Sequence, residues 1–126
     1  MQYSRVLLID DDEDDQELFL MAIKEIASTV ECTALSSAQT ALTQLETHAL
    51  TTDLIFLDLN MPIMTGQQFL SELKKKEALS KIPVIILSTS SNTATINETK
   101  ELGAKKFITK PSNYKELKSV LYGILT

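Results

Sequence analysis

The sequence predicts an α/β fold, a parallel β-sheet covered by helices on both faces. Three observations predict it. Short apolar runs alternate with helical patterns five times along the 126 residues. Runs such as Val6-Leu7-Leu8-Ile9 and Leu54-Ile55-Phe56-Leu57 are continuous rather than alternating, as in strands buried on both faces. Asp10, Asp11, Asp58 and Lys110 each follow such a run directly, at the strand ends where open α/β sheets hold ligands.

The elements follow in order. Arg5 to Ile9 suits a short buried strand, and Asp12-Glu13-Asp14-Asp15 then places negative charge at a helix start, where it complements the helix dipole. Leu18, Phe19, Ala22, Ile23 and Ile26 give that helix one apolar side. Val30 to Leu35 reads as the second strand. Ser36 and Gln39 have capping-box spacing, ahead of a stripe formed by Ala38, Ala41, Leu42, Leu45 and Ala49. Leu54 to Leu57 is the third strand, with Asp53 at its start. A loop from Leu59 to Gly66 leads into a helix marked by Phe69, Leu70 and Leu73. Pro83 opens the fourth strand, Val84 to Leu87, a position proline tolerates. The stretch Ser88 to Lys100 is rich in Ser, Thr and Asn, with Ile96 its only large apolar residue, and predicts the least anchored helix. Gly103 ends it. Lys105 to Thr109 is the fifth strand, and Tyr114, Leu117, Leu121 and Ile124 line the buried face of the last helix.

Bulk properties narrow the function. The length fits one domain that buries roughly two thirds of its unfolded surface. There is no run of about 18 apolar residues to span a membrane. Nor does the N-terminus carry the apolar core and cleavage site of a signal peptide, so a cytoplasmic location is expected. Cys32 is the sole cysteine, which excludes an internal disulfide; it reads as a small apolar strand residue. Net charge is −5, and Lys74-Lys75-Lys76, the longest basic run, reads as the solvated C-terminal turn of a helix. Nucleic-acid binding is therefore not expected. His48, the only histidine, lies late in the second helical segment, far in sequence from every proposed strand end, so the chain is not expected to be a histidine kinase itself.

Carboxylates converging at strand ends suit a hard cation such as Mg²⁺. A carboxylate such as Asp58 can also attack phosphorus and form an acyl phosphate, provided the repulsion from Asp10 and Asp11 is neutralised. Asp12 to Asp15 read instead as a solvated first turn. Lys110 offers a point positive charge for phosphoryl oxygens.

Four pieces in order carry a resemblance: Leu8-Ile9-Asp10-Asp11; Leu57-Asp58-Leu59-Asn60-Met61-Pro62 with Gly66; Pro83-Val84-Ile85-Ile86-Leu87-Ser88; and Lys110-Pro111. On these the chain resembles the receiver (response-regulator) domains of two-component signalling, over essentially its whole length. The resemblance implies a (βα)5 flavodoxin-like fold with five parallel strands in the order 2-1-3-4-5. It implies residues 1–126 as a single receiver with no output domain. Asp58 would be the phosphoacceptor, with Mg²⁺ held by Asp11 and Asp58 directly, by the Asn60 carbonyl, and by Asp10 through water. Ser88 and Lys110 would bind the phosphoryl group. Pro62 and Gly66 would set the loop beside Asp58, Phe107 would be the aromatic switch residue, and Pro111 would follow a cis peptide bond. The donor would be a sensor histidine kinase or a histidine phosphotransfer protein. Output would pass to a downstream protein, or to a second copy of the chain, through the face made by the fourth helix, fifth strand and last helix. Such a protein catalyses only its own phosphorylation and dephosphorylation.

Some positions depart from the common pattern. Thr65 replaces the frequent Asp before Gly66. Ser112 replaces the frequent aromatic after Pro111, where Ser112-Asn113-Tyr114 reads as a helix cap. Ser90 offers neither carboxylate nor amide at a site linked in the family to phosphate lifetime. Three rivals fit less well. A phosphatase of the haloacid-dehalogenase type needs a second Asp where Asn60 stands, a degenerate receiver would lack one of Asp10, Asp11, Asp58 or Lys110, and a flavin-binding module needs a Ser/Thr/Gly-rich loop after the first strand.

Overall fold

The computed structural model describes residues 2–126. Five strands and five helices alternate: β1 (Arg5–Ile9), α1 (Glu13–Ile26), β2 (Glu31–Leu35), α2 (Ala38–Glu46), β3 (Leu54–Leu57), α3 (Gly66–Lys75), β4 (Val84–Ser88), α4 (Thr93–Glu101), β5 (Lys106–Thr109) and α5 (Tyr114–Leu125). The strands form one sheet in the order β2-β1-β3-β4-β5, and every pairing is parallel. This is the flavodoxin-like order the resemblance implies.

Side-chain alternation on the strands divides the interior in two. Leu7, Ile9, Ile55, Leu57, Val84 and Ile86 face α2 and α3, where Leu42, Leu45, Phe69, Leu70 and Leu73 close the layer. Val6, Leu8, Leu54, Phe56, Ile85 and Leu87 face α1 and α5, against Phe19, Ile23, Leu121 and Leu125. Phe19 meets Phe56 edge to face with ring centres 5.1 Å apart, a geometry favoured by the aromatic quadrupole. No helix among the described residues is long and apolar enough to cross a membrane.

Helix starts are capped by short polar side chains. Asp12, Ser37, Thr65, Asn92 and Asn113 each accept a hydrogen bond from the backbone amide three residues on. The cap of α2 is thus Ser37 and not Ser36, whose hydroxyl instead accepts from the Gln16 side chain at 2.9 Å. Helix α2 also stops sooner than its stripe suggests. His48 adopts φ 61° two residues past Glu46, and Ala49 is exposed beyond the turn. Helix α4 buries only Thr99 fully and ends in a Schellman motif. There the Gly103 amide (φ 104°) donates to Lys100 and the Ala104 amide to Thr99. The basic run at the end of α3 is less solvated than expected, since Lys74 lays its stem under Gly103 and donates to the Ser80 carbonyl at 3.0 Å.

Candidate functional site

Because all five strands run the same way, their C-terminal ends share one edge of the sheet. Ladder-like backbone bonds continue one step beyond the strands and fix the residues that follow. The Asp10 amide donates to Leu35, the Asp58 amide to Ile9, and the Lys110 amide to Ser88, at 3.0, 2.9 and 2.8 Å. Local sequence thus decides where the chemistry sits. Asp10 and Asp58 are each the first position after an apolar run, and Lys110 follows the short strand that Thr109 ends.

Asp10, Asp11 and Asp58 bring one carboxylate oxygen each within 4.8 Å of one another. Asp10 and Asp58 are 1% and 6% exposed, whereas Asp11 faces solvent. Two buried carboxylates and one open to water form an oxygen-donor set suited to a hard divalent cation that keeps part of its hydration shell. Asn60 lies in the exposed loop just beyond Asp58. The Lys110 ammonium bridges the cluster, at 2.6 Å from Asp15, 2.9 Å from Asp10 and 3.9 Å from Asp58.

Burial raises the Asp58 carboxyl to about 6, with Lys110 opposing the rise and Asp10 adding to it. Burial also raises Asp10, against the hydrogen bonds it receives from the Asp12 amide and Lys110. For Lys110, burial alone would lower the ammonium, but its bonds to Asp15 and Asp10 outweigh that and hold it above the usual lysine range. By contrast, Cys32 on β2 is pushed up to about 12 by burial and stays an inert thiol.

The surrounding loops hold this arrangement. Asp58 accepts from the Leu59 amide at 2.9 Å. Gly66, the first residue of α3, presses on this segment; a Cβ there would collide with the Asp58 carbonyl and lie 2.8 Å from Leu59 Cα. Gly66 therefore serves close approach. The turn itself falls at Ile63, which is 97% exposed with φ 70°, while the Met64 amide donates to Pro62 across it at 2.8 Å. Thr65, substituting for the commoner Asp, forms a full capping box with Gln68.

Ser88 is fully buried at the end of β4, its hydroxyl accepting from the Ser90 amide at 3.2 Å. Phe107, half-buried on β5, lines a cavity of about 320 Å³ against Ile96 and Thr99 of α4. Pro111 is half-buried, and the bond before it is trans, as are all peptide bonds among the described residues. The implied cis bond is thus not found. Trans is the lower-energy form of an X–Pro bond by about 0.5–1 kcal/mol unless the surroundings select the other.

The sequence places Asp15 in a solvated first turn. Instead it is half-buried and makes the shortest contact with Lys110. Its distance in sequence from Lys110 hides this pairing. The one local signal is that Asp15 lies a helical turn beyond the cap Asp12, on the side that returns over the strand end.

The sequence pattern of the response regulator receiver domain matches residues 6–122. The chain belongs to this family. The response regulator Rcp1 of Synechocystis sp. is 31% identical over 124 residues, which cover 94% of this chain and 84% of Rcp1. The two-component response regulator ORR8 of Oryza sativa is 35% identical over 111 residues, 88% of this chain and 89% of ORR8. Among solved structures, the phosphorylated cyanobacterial phytochrome response regulator RcpA matches this receiver with a TM-score of 0.89 at 31% identity, over 97% of this chain and 91% of RcpA. A Mn²⁺-bound form of Rcp1 matches with a TM-score of 0.86 at 30% identity, over 96% of this chain and 91% of that one.

Proposed function

We propose that residues 1–126 act as one receiver unit that takes a phosphoryl group from a phosphohistidine onto Asp58 and signals through changed protein contacts. The observation that carries this is the placement of Asp58. It is a buried carboxylate facing two others, with a lysine ammonium 3.9 Å away. A carboxylate oxygen of Asp58 attacks phosphorus as the bond from phosphorus to the donor imidazole breaks. The freed imidazole nitrogen regains its lone pair, and an acyl phosphate remains on Asp58. Asp10, Asp11, Asp58 and the Asn60 carbonyl would hold Mg²⁺, which supplies charge neutralisation between the carboxylates and the incoming phosphoryl oxygens. The Mn²⁺-bound form of Rcp1 supports a divalent cation in this role. Lys110 and the Ser88 hydroxyl would then meet the phosphoryl oxygens. The donor would be a sensor histidine kinase or a phosphotransfer protein.

Incubation with acetyl phosphate tests this reading. A Mg²⁺-dependent acyl phosphate located on the peptide containing Asp58 is the expected result, and labelling on another residue overturns it. Asp11→Ala should weaken Mg²⁺ binding by about tenfold or more, because Asp11 is the solvent-facing donor of the set. Calorimetric titration of Mg²⁺ into both proteins checks this, and equal affinities would remove Asp11 from the metal shell.

The proposed output face is α4, β5 with Lys105, Lys106 and Phe107, and α5. Helix α4 has one fully buried residue, so few apolar contacts resist its movement when Ser88 is drawn towards a phosphoryl oxygen. Hydrogen exchange with and without beryllofluoride should show altered protection from Ser88 through Phe107. Ser88→Ala should leave Asp58 phosphorylatable while removing most of that change. Protection altered only around Asp10 and Asp58 in the unsubstituted protein would reject this output route.

A further inference from the structure

We propose that Asp15 is a positioning residue that holds the Lys110 ammonium on the α1 side of the acidic cluster, so that a phosphoryl group on Asp58 must draw the lysine away from it. The inference rests on the phosphoacceptor reading above. Its basis is the order of distances around Nζ, 2.6 Å to Asp15, 2.9 Å to Asp10 and 3.9 Å to Asp58. The first two lie within hydrogen-bond range and the last lies outside it. In the resting protein Lys110 therefore hydrogen-bonds Asp10, just before α1, and Asp15, in its first turn, and stands at only ion-pair distance from the acceptor.

The constraint on Asp15 comes from its helix. It sits in the first turn of α1, and its own amide is bound by the Asp12 cap at 3.0 Å. Its backbone cannot follow the lysine without loosening that cap. Lys110, by contrast, borders a cavity of about 230 Å³ shared with Asp15, Leu18 and Pro111. That cavity lies on the α1 and α5 side and Asp58 does not line it, so the shift of Nζ by about 1 Å that would reach hydrogen-bond range of Asp58 is taken up by rotation of the flexible lysine stem. Asp15 thus competes with the phosphoryl oxygens for one cation and raises the threshold for activation.

Asp15→Asn removes the competing charge and keeps the shape. Asp14→Asn removes the same charge from the same helical turn at an exposed side chain, and so controls for the overall field of the site. Beryllofluoride titration in the presence of Mg²⁺, followed by amide resonances, should show about fivefold tighter binding for Asp15→Asn, the upper end for a partly exposed ion pair. Asp14→Asn should stay within about twofold of the unsubstituted chain, being further screened by solvent. Without Mg²⁺ or beryllofluoride, the Lys110 ammonium resonance should move in Asp15→Asn and not in Asp14→Asn, with thermal unfolding followed in parallel to establish that all three proteins are folded. Equal affinities for the two variants, weaker binding by Asp15→Asn, or an unmoved Lys110 resonance would overturn the proposal. A chain that acquires no acyl phosphate on Asp58 from acetyl phosphate would overturn the phosphoacceptor reading, and this inference with it. Normal labelling combined with equal variants would overturn this inference alone.

Discussion

Asp58→Asn is expected to abolish Mg²⁺-dependent labelling by acetyl phosphate and to leave the circular dichroism spectrum unchanged. Asn is nearly isosteric, but its amide nitrogen and oxygen cannot attack phosphorus to give an acyl phosphate under these conditions. The same variant should be more stable than the unsubstituted chain at pH 7.5 without Mg²⁺. Burial raises the folded Asp58 carboxyl from 3.8 to about 6, so between those values the native state keeps a proton that the unfolded chain has released. The stability this provides is present below pH 4 and is lost as pH rises through about 6. Above that range the ionised Asp58 costs about 2–3 kcal/mol, by linkage over the size of the shift. Urea unfolding of both proteins from pH 3.5 to 7.5 should show their difference opening through this window. Adding Mg²⁺ should narrow it, since a ligand bound only by the native state stabilises by mass action. Undiminished labelling of a folded Asp58→Asn would place the acceptor elsewhere, and a pH-independent difference would show that Asp58 is not destabilised by its burial.

The strands were legible because their sequence signal and their physical burden coincide. β1, β3 and β4 are almost wholly buried, and a continuous apolar run is the only sequence that satisfies two helical layers at once. The edge strands β2 and β5 are only partly buried and their bounds shifted inward by one residue, from Val30 to Glu31 and from Lys105 to Lys106. Helix starts were harder to read. Ser36 and Ser37 are adjacent and both can cap, and the choice between them turns on Gln16 reaching across from α1 to engage Ser36. That contact spans twenty residues and leaves no local trace.

The acidic cluster was legible for a related reason. Parallel strands force every strand end to one edge, so Asp10, Asp11 and Asp58 could be placed together without knowing any side-chain angle. Asp15 could not. Its reach to Lys110 depends on the angle at which α1 leaves β1, set by the Asp12 cap and by Phe19 packing on Phe56. Charge at a helix start has a sufficient local explanation in the dipole, and that explanation masked the second role. Gly66 shows the opposite case. Its position was marked by pattern, but its purpose, contact with the Asp58 backbone rather than a special turn angle, is visible only in three dimensions.

Gly66→Ala should therefore be among the most damaging single-methyl changes in the chain. The new Cβ would meet the Asp58 carbonyl, Leu59 Cα at 2.8 Å and Leu59 Cδ2 at 2.9 Å. Two of those three are backbone atoms at the end of a central strand, which cannot yield as the tip of a flexible side chain can. Relief must come from moving α3 away from β3, which opens the layer where Phe69 and Leu70 are fully buried. Overpacking of this kind costs about 3 kcal/mol, at the upper end of its usual range. It should also displace Asp58 relative to Asp10 and Asp11, and a shift of about 1 Å at a reacting group can cost on the order of 100-fold in rate. Gly123→Ala provides the contrast. Gly123 lies in α5 with nothing within 4 Å of a new Cβ, and alanine there should stabilise by about 0.5–1 kcal/mol through helix propensity alone. Urea unfolding of both variants, with acetyl phosphate labelling at a temperature where each is folded, separates the two effects. A Gly66→Ala protein that matches Gly123→Ala in stability and labels at the normal rate would show that α3 can retreat freely, and that its contact with β3 does not hold the acceptor in place.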